Sequence, residues 1–199
     1  MHNVIKIVSL RTSDRCHWCG NLLLFWGFPR QCAHWLGMTY YLILMTLPTM
    51  GAREAKMCSL NRIGRQAADF RFADRKGRMR NLYDIEAETI LLFFSNPGCE
   101  ACMNIINMLN GTPQVAELIA AGRLAVLNIY IDEDIQAWRS YMPIYPETWY
   151  NGFDPDLVLR GNDVYCVRAI PSLYVLDAQK KVILKDAPEQ KVLDLLMSL

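Results

Sequence analysis

The chain has 199 residues, of which 52% are hydrophobic, and its 21 Lys and Arg residues nearly balance 20 Asp and Glu. This length fits one domain of roughly 100–200 residues with an appendage, and the apolar content excludes an intrinsically disordered chain. The formal net charge of +1 gives no general electrostatic case for nucleic-acid binding. Seven cysteines are too few for a small disulfide scaffold, so their positions carry the information. They are Cys16, Cys19, Cys32, Cys58, Cys99, Cys102 and Cys166.

The first 58 residues differ in composition from the rest of the chain. The apolar run Trp35–Leu47 has the length of the hydrophobic segment of a signal peptide. The longer uncharged stretch Gln31–Ala52 suffices for a tilted membrane anchor, although the basic residues that follow it oppose that orientation. A buried helix and a start codon placed too far upstream are the alternatives. We therefore predict a leader over residues 1–58 (signal peptide, membrane anchor or non-native extension) and a folded domain over residues 62–199.

The folded part alternates strand and helix patterns. Asp69–Ala73 and Arg78–Leu82 flank a turn and predict a hairpin at the start of the domain. The apolar runs Thr89–Ser95 and Leu124–Ile131 predict central strands that are covered on both faces. The remaining predicted elements are a helix after Gly98, a helix that starts at Pro113, a last helix that Pro188 opens, and a hairpin formed by Ser172–Leu176 and Val182–Lys185. This order predicts an α/β sandwich with a mixed central sheet flanked by helices and an N-terminal hairpin.

A C-x-x-C pair lies between the first central strand and the helix after it. The loop residues Pro97 and Gly98 precede Cys99, and Glu100 and Ala101 separate it from Cys102. The free N–H groups and the dipole at a helix start stabilise a thiolate, which is the attacking species in disulfide exchange. Cys102 lies on the apolar face of the predicted helix. The pattern therefore predicts that Cys99 attacks and that Cys102 resolves the mixed disulfide.

The strand and C-x-x-C segment LLFFSNPGCEAC, together with Gly64-x-x-Ala67-x-Asp69-Phe70 and the later segment Arg168–Leu173, resembles the TlpA/ResA-type thiol–disulfide oxidoreductases of the bacterial cell envelope. The resemblance covers about residues 62–199. It implies a thioredoxin-like sandwich in which Pro171 follows a cis peptide bond beside the C-x-x-C and Ile170 helps to position the substrate.

The same resemblance implies exchange with protein thiols and disulfides and with an unidentified redox partner. Neither a cofactor nor a metal is implied. It also implies a cell-envelope or periplasmic location, with membrane association through the leader; a cytoplasmic location is the alternative.

Three departures from the family pattern leave another function open. Gly98 stands where relatives usually have an aromatic residue, Glu100 places a carboxylate beside Cys99, and Phe93 stands where thioredoxin has a buried acid. The alternative is a redox-inactive binding module in which the Cys99–Cys102 bond is structural. A peroxidase is a third hypothesis, but Asn96 occupies the position where that chemistry uses threonine.

Three further features leave alternatives open. An insertion-like stretch between Ile131 and Tyr165 is rich in aromatic residues, which we expect to line a substrate groove or to form satellite core. Cys166 is expected to be a buried, inert thiol, with a third redox cysteine as the alternative. Four N-terminal residues are of types that bind zinc through sulfur or nitrogen, but their spacing is unfavourable for a tetrahedral site. We therefore predict no metal. These four are Cys16, Cys19, Cys32 and His34.

Overall fold

The computed structural model describes residues 55–56, 59–161 and 164–199, all of which belong to the unit Arg53–Leu199. Apart from residues 55–56, the predicted leader lies outside the described residues, and so do Cys58 and the four N-terminal residues considered as zinc ligands, so those predictions stay predictions.

In the part of the chain that the structure describes, seven strands form one mixed sheet in the order β2-β1-β5-β4-β3-β6-β7. The β3–β4 and β4–β5 pairs are parallel, and the other neighbours are antiparallel. The predicted mixed sheet is therefore confirmed, and so are its two hairpins, β1–β2 and β6–β7. The strands are β1 Arg71–Asp74, β2 Met79–Asn81, β3 Thr89–Phe94, β4 Leu124–Tyr130, β5 Tyr150–Phe153, β6 Ser172–Asp177 and β7 Val182–Lys185.

The central strands β3 and β4 are buried along their whole lengths. Their side chains alternate between two core clusters, one on each face of the sheet, because successive residues of a strand point to opposite faces. At the end of β3, Phe94 pairs with Ile129 of β4 on one side and with Ser172 of β6 on the other. The loops that leave β3 and β4 and the segment that enters β6 therefore meet at one edge of the sheet.

Within the described residues, four helices pack on one face of the sheet. Helix α1 contributes the buried face that its spacing predicts, formed by Cys102, Ile105, Ile106 and Leu109. The opposite face is covered by the 3₁₀ turn Leu82–Asp84 and by irregular segments that carry Phe70, Leu159 and Tyr165. The helices are α1 Glu100–Asn110, α2 Pro113–Ala120, α3 Ile135–Tyr141 and α4 Glu189–Met197.

The segment between β4 and β6 contains two elements that the sequence patterns do not predict, α3 and β5. Asp134 caps the start of α3 by accepting a hydrogen bond from the Ala137 N–H, 3.0 Å away. Strand β5 joins the sheet between β1 and β4 and so connects the N-terminal hairpin to the central strands. Within the part of the chain that the structure describes, no helix is long and apolar enough to span a membrane.

Candidate active site

The two cysteines of the C-x-x-C lie at the start of α1 and form a disulfide whose Cα atoms are 5.2 Å apart. Cys99 is the N-cap residue, and its Sγ accepts a hydrogen bond from the Cys102 N–H at 3.2 Å. Cys99 is half-buried, whereas Cys102 is only 2% exposed and packs within the core cluster beneath α1. Only Cys99 is therefore open to a sulfur atom that approaches from solvent.

The loop before Cys99 reverses the chain between β3 and α1. Gly98 has a φ of +74°, a left-handed conformation that glycine adopts without steric cost, and the Cys99 N–H donates to the Asn96 carbonyl at 3.3 Å. The Asn96 side chain donates to Asp132 at 2.7 Å, which attaches the loop to the segment after β4. Pro97 is half-buried. The other predicted motif positions, Gly98, Glu100 and Ala101, are exposed around Cys99.

Ile170 and Pro171 lie at the entry to β6, next to the C-x-x-C loop. The Ile170–Pro171 peptide bond is cis. Because Ser172 pairs with Phe94, the residues before it stand opposite the start of the loop that leads to Cys99. Both Ile170 and Cys99 are half-buried at the margin of the same core cluster. The structure thus brings together the residues that the sequence assigns to catalysis and to substrate positioning.

A buried polar network supports the C-x-x-C loop from below, and the sequence patterns did not single it out. The Ser95 hydroxyl donates to the Asn128 carbonyl oxygen at 2.5 Å, and the Asn128 amide donates to Asn151 at 2.9 Å. Ser95 directly follows β3, Asn128 lies within β4 and Asn151 is the second residue of β5, and all three are at most 2% exposed. Burial raises the pKa of Tyr145, and hydrogen bonds with Ser95 and Asn128 oppose that rise. The network therefore stays uncharged at neutral pH.

An Asn128→Leu variant tests how much this network contributes to the stability of the protein. Leucine has as many side-chain heavy atoms as asparagine, but it removes the acceptor of the Ser95 hydroxyl and the donor to the Asn151 side-chain oxygen from the core. We expect the free energy of unfolding of the oxidised protein to fall by about 1–3 kcal/mol, measured in urea. Asn104→Leu, on the exposed side of α1, is the matched control and should change stability by less than about 0.5 kcal/mol. Equal losses in the two variants would show that the network contributes nothing specific.

The aromatic segment between β4 and β6 is mainly core. Trp138, Tyr145 and Trp149 are buried in the cluster that also holds Cys102, and Phe153 packs against it. These side chains therefore belong to the main core of this face, not to a satellite cluster. Tyr141 differs because it is half-buried and its hydroxyl lies 3.5 Å from the point where a Cβ on Gly98 would be. Among these aromatic residues, this one borders the C-x-x-C loop.

The tip of the β1–β2 hairpin holds the segment that follows Tyr141. The guanidinium of Arg75 donates to the backbone carbonyls of Met142, Tyr145 and Pro146, at 3.4, 2.8 and 2.6 Å. Nothing in the local sequence around Arg75 indicates these contacts, because its partners lie about 70 residues further along the chain.

Two further sequence expectations concern single positions. Cys166 is a buried free thiol, 4% exposed, as expected for an inert cysteine. Phe93 is fully buried in the same cluster as Cys102, so a benzene ring occupies the position where thioredoxin has a buried acid. Among the described residues, no group of three or more His, Cys, Asp or Glu side chains is arranged to hold a metal ion.

Comparison with solved structures identifies the family. A thioredoxin-like protein from Bacteroides caccae superposes with a TM-score of 0.73 and 36% identity. The match covers 75% of this chain and 54% of the other, so this chain spans about half the length of that protein. The C-terminal domain of an uncharacterized protein from Bacteroides fragilis is 42% identical, with a TM-score of 0.66 over 69% of this chain and 98% of that domain.

A more distant structure shows the same fold. The thioredoxin domain of a thiol-disulfide oxidoreductase from Bacteroides vulgatus is 17% identical, with a TM-score of 0.58 over 68% of this chain and 98% of the other. No protein-family model and no curated protein matches the chain. On the fold and on its similarity to the two nearer structures, this chain belongs to the thioredoxin-like superfamily.

Proposed function

We propose that this protein is a thiol–disulfide oxidoreductase that exchanges the Cys99–Cys102 pair with protein thiols and disulfides. The observation that carries the proposal is the unequal exposure of two bonded cysteines at a helix start: Cys99 is accessible and caps α1, while Cys102 is buried behind it. A purely structural disulfide needs no such asymmetry. The Bacteroides vulgatus structure, named as a thiol-disulfide oxidoreductase, supports the proposal by the fold that it shares with this chain.

The exchange proceeds in two displacement steps. In the reduced protein the Cys99 thiolate attacks one sulfur of a substrate disulfide; a Cys99–substrate bond forms, the substrate S–S bond breaks, and the departing thiolate takes up a proton. Cys102 then loses its proton and attacks the Cys99 sulfur. The Cys99–Cys102 disulfide forms and the second substrate thiol leaves. The substrate gains two electrons and the protein loses two, and a dithiol partner returns the protein to its reduced form.

The helix start favours the first step. The Cys102 N–H, in the first turn of α1, donates a hydrogen bond to the Cys99 sulfur at 3.2 Å. This N–H and the positive end of the helix dipole stabilise negative charge on that sulfur, whether it attacks or leaves. The Glu100 side chain is exposed, so solvent screens its carboxylate.

The resemblance to TlpA/ResA-type proteins extends the proposal to the cell envelope, where disulfides persist. Under this proposal the leader delivers the domain to that compartment or anchors it there. The leader lies outside the described residues, so export stays a prediction that fractionation of cells expressing the full chain tests directly.

A trapping experiment tests the proposed exchange. In a Cys102→Ser variant of the full chain, expressed in its native compartment, the resolving thiol is absent and mixed disulfides on Cys99 should accumulate. We expect adducts on non-reducing gels that dithiothreitol releases. The matched control is the double variant Cys99→Ser/Cys102→Ser, which retains the other five cysteines. Equal adducts in the two variants, or none in either, would count against exchange at Cys99 and favour the binding-module alternative.

A further inference from the structure

Tyr141 lies beside the chain that precedes the attacking cysteine. Its hydroxyl is 3.5 Å from the ideal Cβ position on Gly98, and so at most about 5 Å from the Gly98 Cα once one C–C bond length is added. Among the residues that the structure describes, this hydroxyl makes no hydrogen bond, which leaves it available as both donor and acceptor. The Tyr141 hydroxyl therefore lies beside the approach to Cys99 and is free to form hydrogen bonds.

The position of Tyr141 is fixed from two sides. Three hydrogen bonds from Arg75 hold the backbone immediately after it, at Met142, Tyr145 and Pro146. On the inner side, the Tyr145 ring is 3% exposed and meets the polar network of Ser95 and Asn128. Because the segment is anchored in this way, little conformational freedom remains to be lost when a ligand contacts Tyr141.

The surroundings of Cys99 form one apolar margin. Cys99, Tyr141, Met142 and Ile170 all pack against the same core cluster and are all half-buried. In any disulfide the two Cα atoms lie roughly 4.4–6.8 Å apart. A substrate cysteine bonded to Cys99 must therefore bring its own backbone, and the residues next to it, to this margin.

We propose that Tyr141 is a specificity-determining residue that contacts the polypeptide on either side of the substrate cysteine. Its hydroxyl hydrogen-bonds to a substrate peptide group and its ring packs against the substrate chain. A polypeptide disulfide reaches Tyr141, whereas a small disulfide fills only the space at the sulfur. Tyr141 thereby favours disulfides carried by protein chains over small-molecule disulfides. This inference rests on the proposed exchange activity.

The experiment compares two substrates for each variant. Reduction of insulin, whose disulfides lie in polypeptide chains, and of hydroxyethyl disulfide is followed with dithiothreitol as the source of electrons. The direct reaction of dithiothreitol with each substrate is subtracted, and kcat and KM are determined for each. In Tyr141→Ala we expect the ratio of kcat/KM for insulin to kcat/KM for hydroxyethyl disulfide to fall about tenfold, mainly through a higher KM for insulin. Tyr141→Phe, which lacks only the hydroxyl, should fall between the wild type and Tyr141→Ala.

Two further variants separate a contact from a general structural defect. Tyr83→Ala removes a 38%-exposed tyrosine whose hydroxyl bonds to the Ala67 carbonyl, away from Cys99, and should leave the ratio unchanged. Arg75→Met releases the anchored segment and should lower the ratio in the same direction as Tyr141→Ala. An unchanged ratio in Tyr141→Ala, with or without equal losses on both substrates, overturns the inference but not the proposed function, because the wild-type protein still carries out the exchange. A wild-type protein that reduces neither substrate overturns the proposed function itself.

Discussion

A Cys99→Ser variant is expected to lose disulfide-reducing activity by several orders of magnitude, as enzymes do when their nucleophile is removed. The hydroxyl of serine is not a nucleophile toward a disulfide sulfur, and Cys102, which is 2% exposed, cannot take over the attack from solvent. The rate of insulin reduction by the dithiol form, or with dithiothreitol as the source of electrons, measures this loss. Circular dichroism of the purified variant establishes that the fold is intact.

Cys166→Ser is the matched control for the loss of a thiol as such. Cys166 is a free cysteine within the same domain, 4% exposed and unbonded. Its replacement should leave the rate of insulin reduction close to that of the wild type. Comparable losses in the two variants would assign Cys166 a redox role, and retained activity in Cys99→Ser would remove the attacking function from Cys99.

The placement of the two cysteines of the site could be predicted because it depends on residues that are neighbours in the sequence. A buried apolar strand, a short loop and an amphipathic helix place Cys99 and Cys102 correctly without any long-range information. The same holds for the two hairpins, whose turns and alternating strands are local patterns. The resemblance to known proteins added Ile170 and Pro171, which no local pattern connects to Cys99.

The contacts that hold the site in place could not be predicted, because they join residues that are distant in sequence. Arg75 holds carbonyl groups about 70 residues away, and Tyr141 meets Gly98 only because α3 folds back over the loop. One signal was available: Asn128 interrupts the otherwise apolar run of β4, and a polar residue inside a buried strand requires a partner. Its partners are Ser95, which follows β3, and Asn151 of β5, a strand that the sequence patterns do not predict.

Strand β5 escapes recognition because its sequence, YNGF, has neither alternation nor a run of β-branched residues. Its place in the sheet is decided by its neighbours. Gly152 pairs with Asp74 of β1 on one side and with Ile129 of β4 on the other. Gly152 is required because the β1 backbone approaches it closely. Only the folded structure shows this approach, since β1 is distant in sequence.

Gly152→Ala is therefore expected to destabilise the protein strongly. An ideal Cβ at this position lies 2.6 Å from the Ala73 carbonyl oxygen and 2.6 Å from a ring carbon of Phe72, distances that side-chain carbons essentially never show. The Ala73 oxygen is main chain, and the Phe72 ring is fully buried, so neither can move without opening the β1–β5 pairing. We expect the free energy of unfolding of the oxidised protein in urea to fall by about 3 kcal/mol, at the upper end of the usual cost of overpacking.

Gly122→Ala separates this clash from the general effect of replacing a glycine. Gly122 has a φ of +70°, but no atom lies within 4 Å of its ideal Cβ, so alanine there costs only the backbone strain, about 1–2 kcal/mol. Gly152→Ala should also speed amide hydrogen exchange in β1, because the strand loses its hold on β5; Gly122→Ala should not. A smaller loss of stability in Gly152→Ala than in Gly122→Ala would contradict the close approach of β1. Since the β1–β2 hairpin carries Arg75, a loosened β1 should also release the segment that places Tyr141 beside Cys99, and the insulin-to-hydroxyethyl-disulfide ratio should fall together with stability.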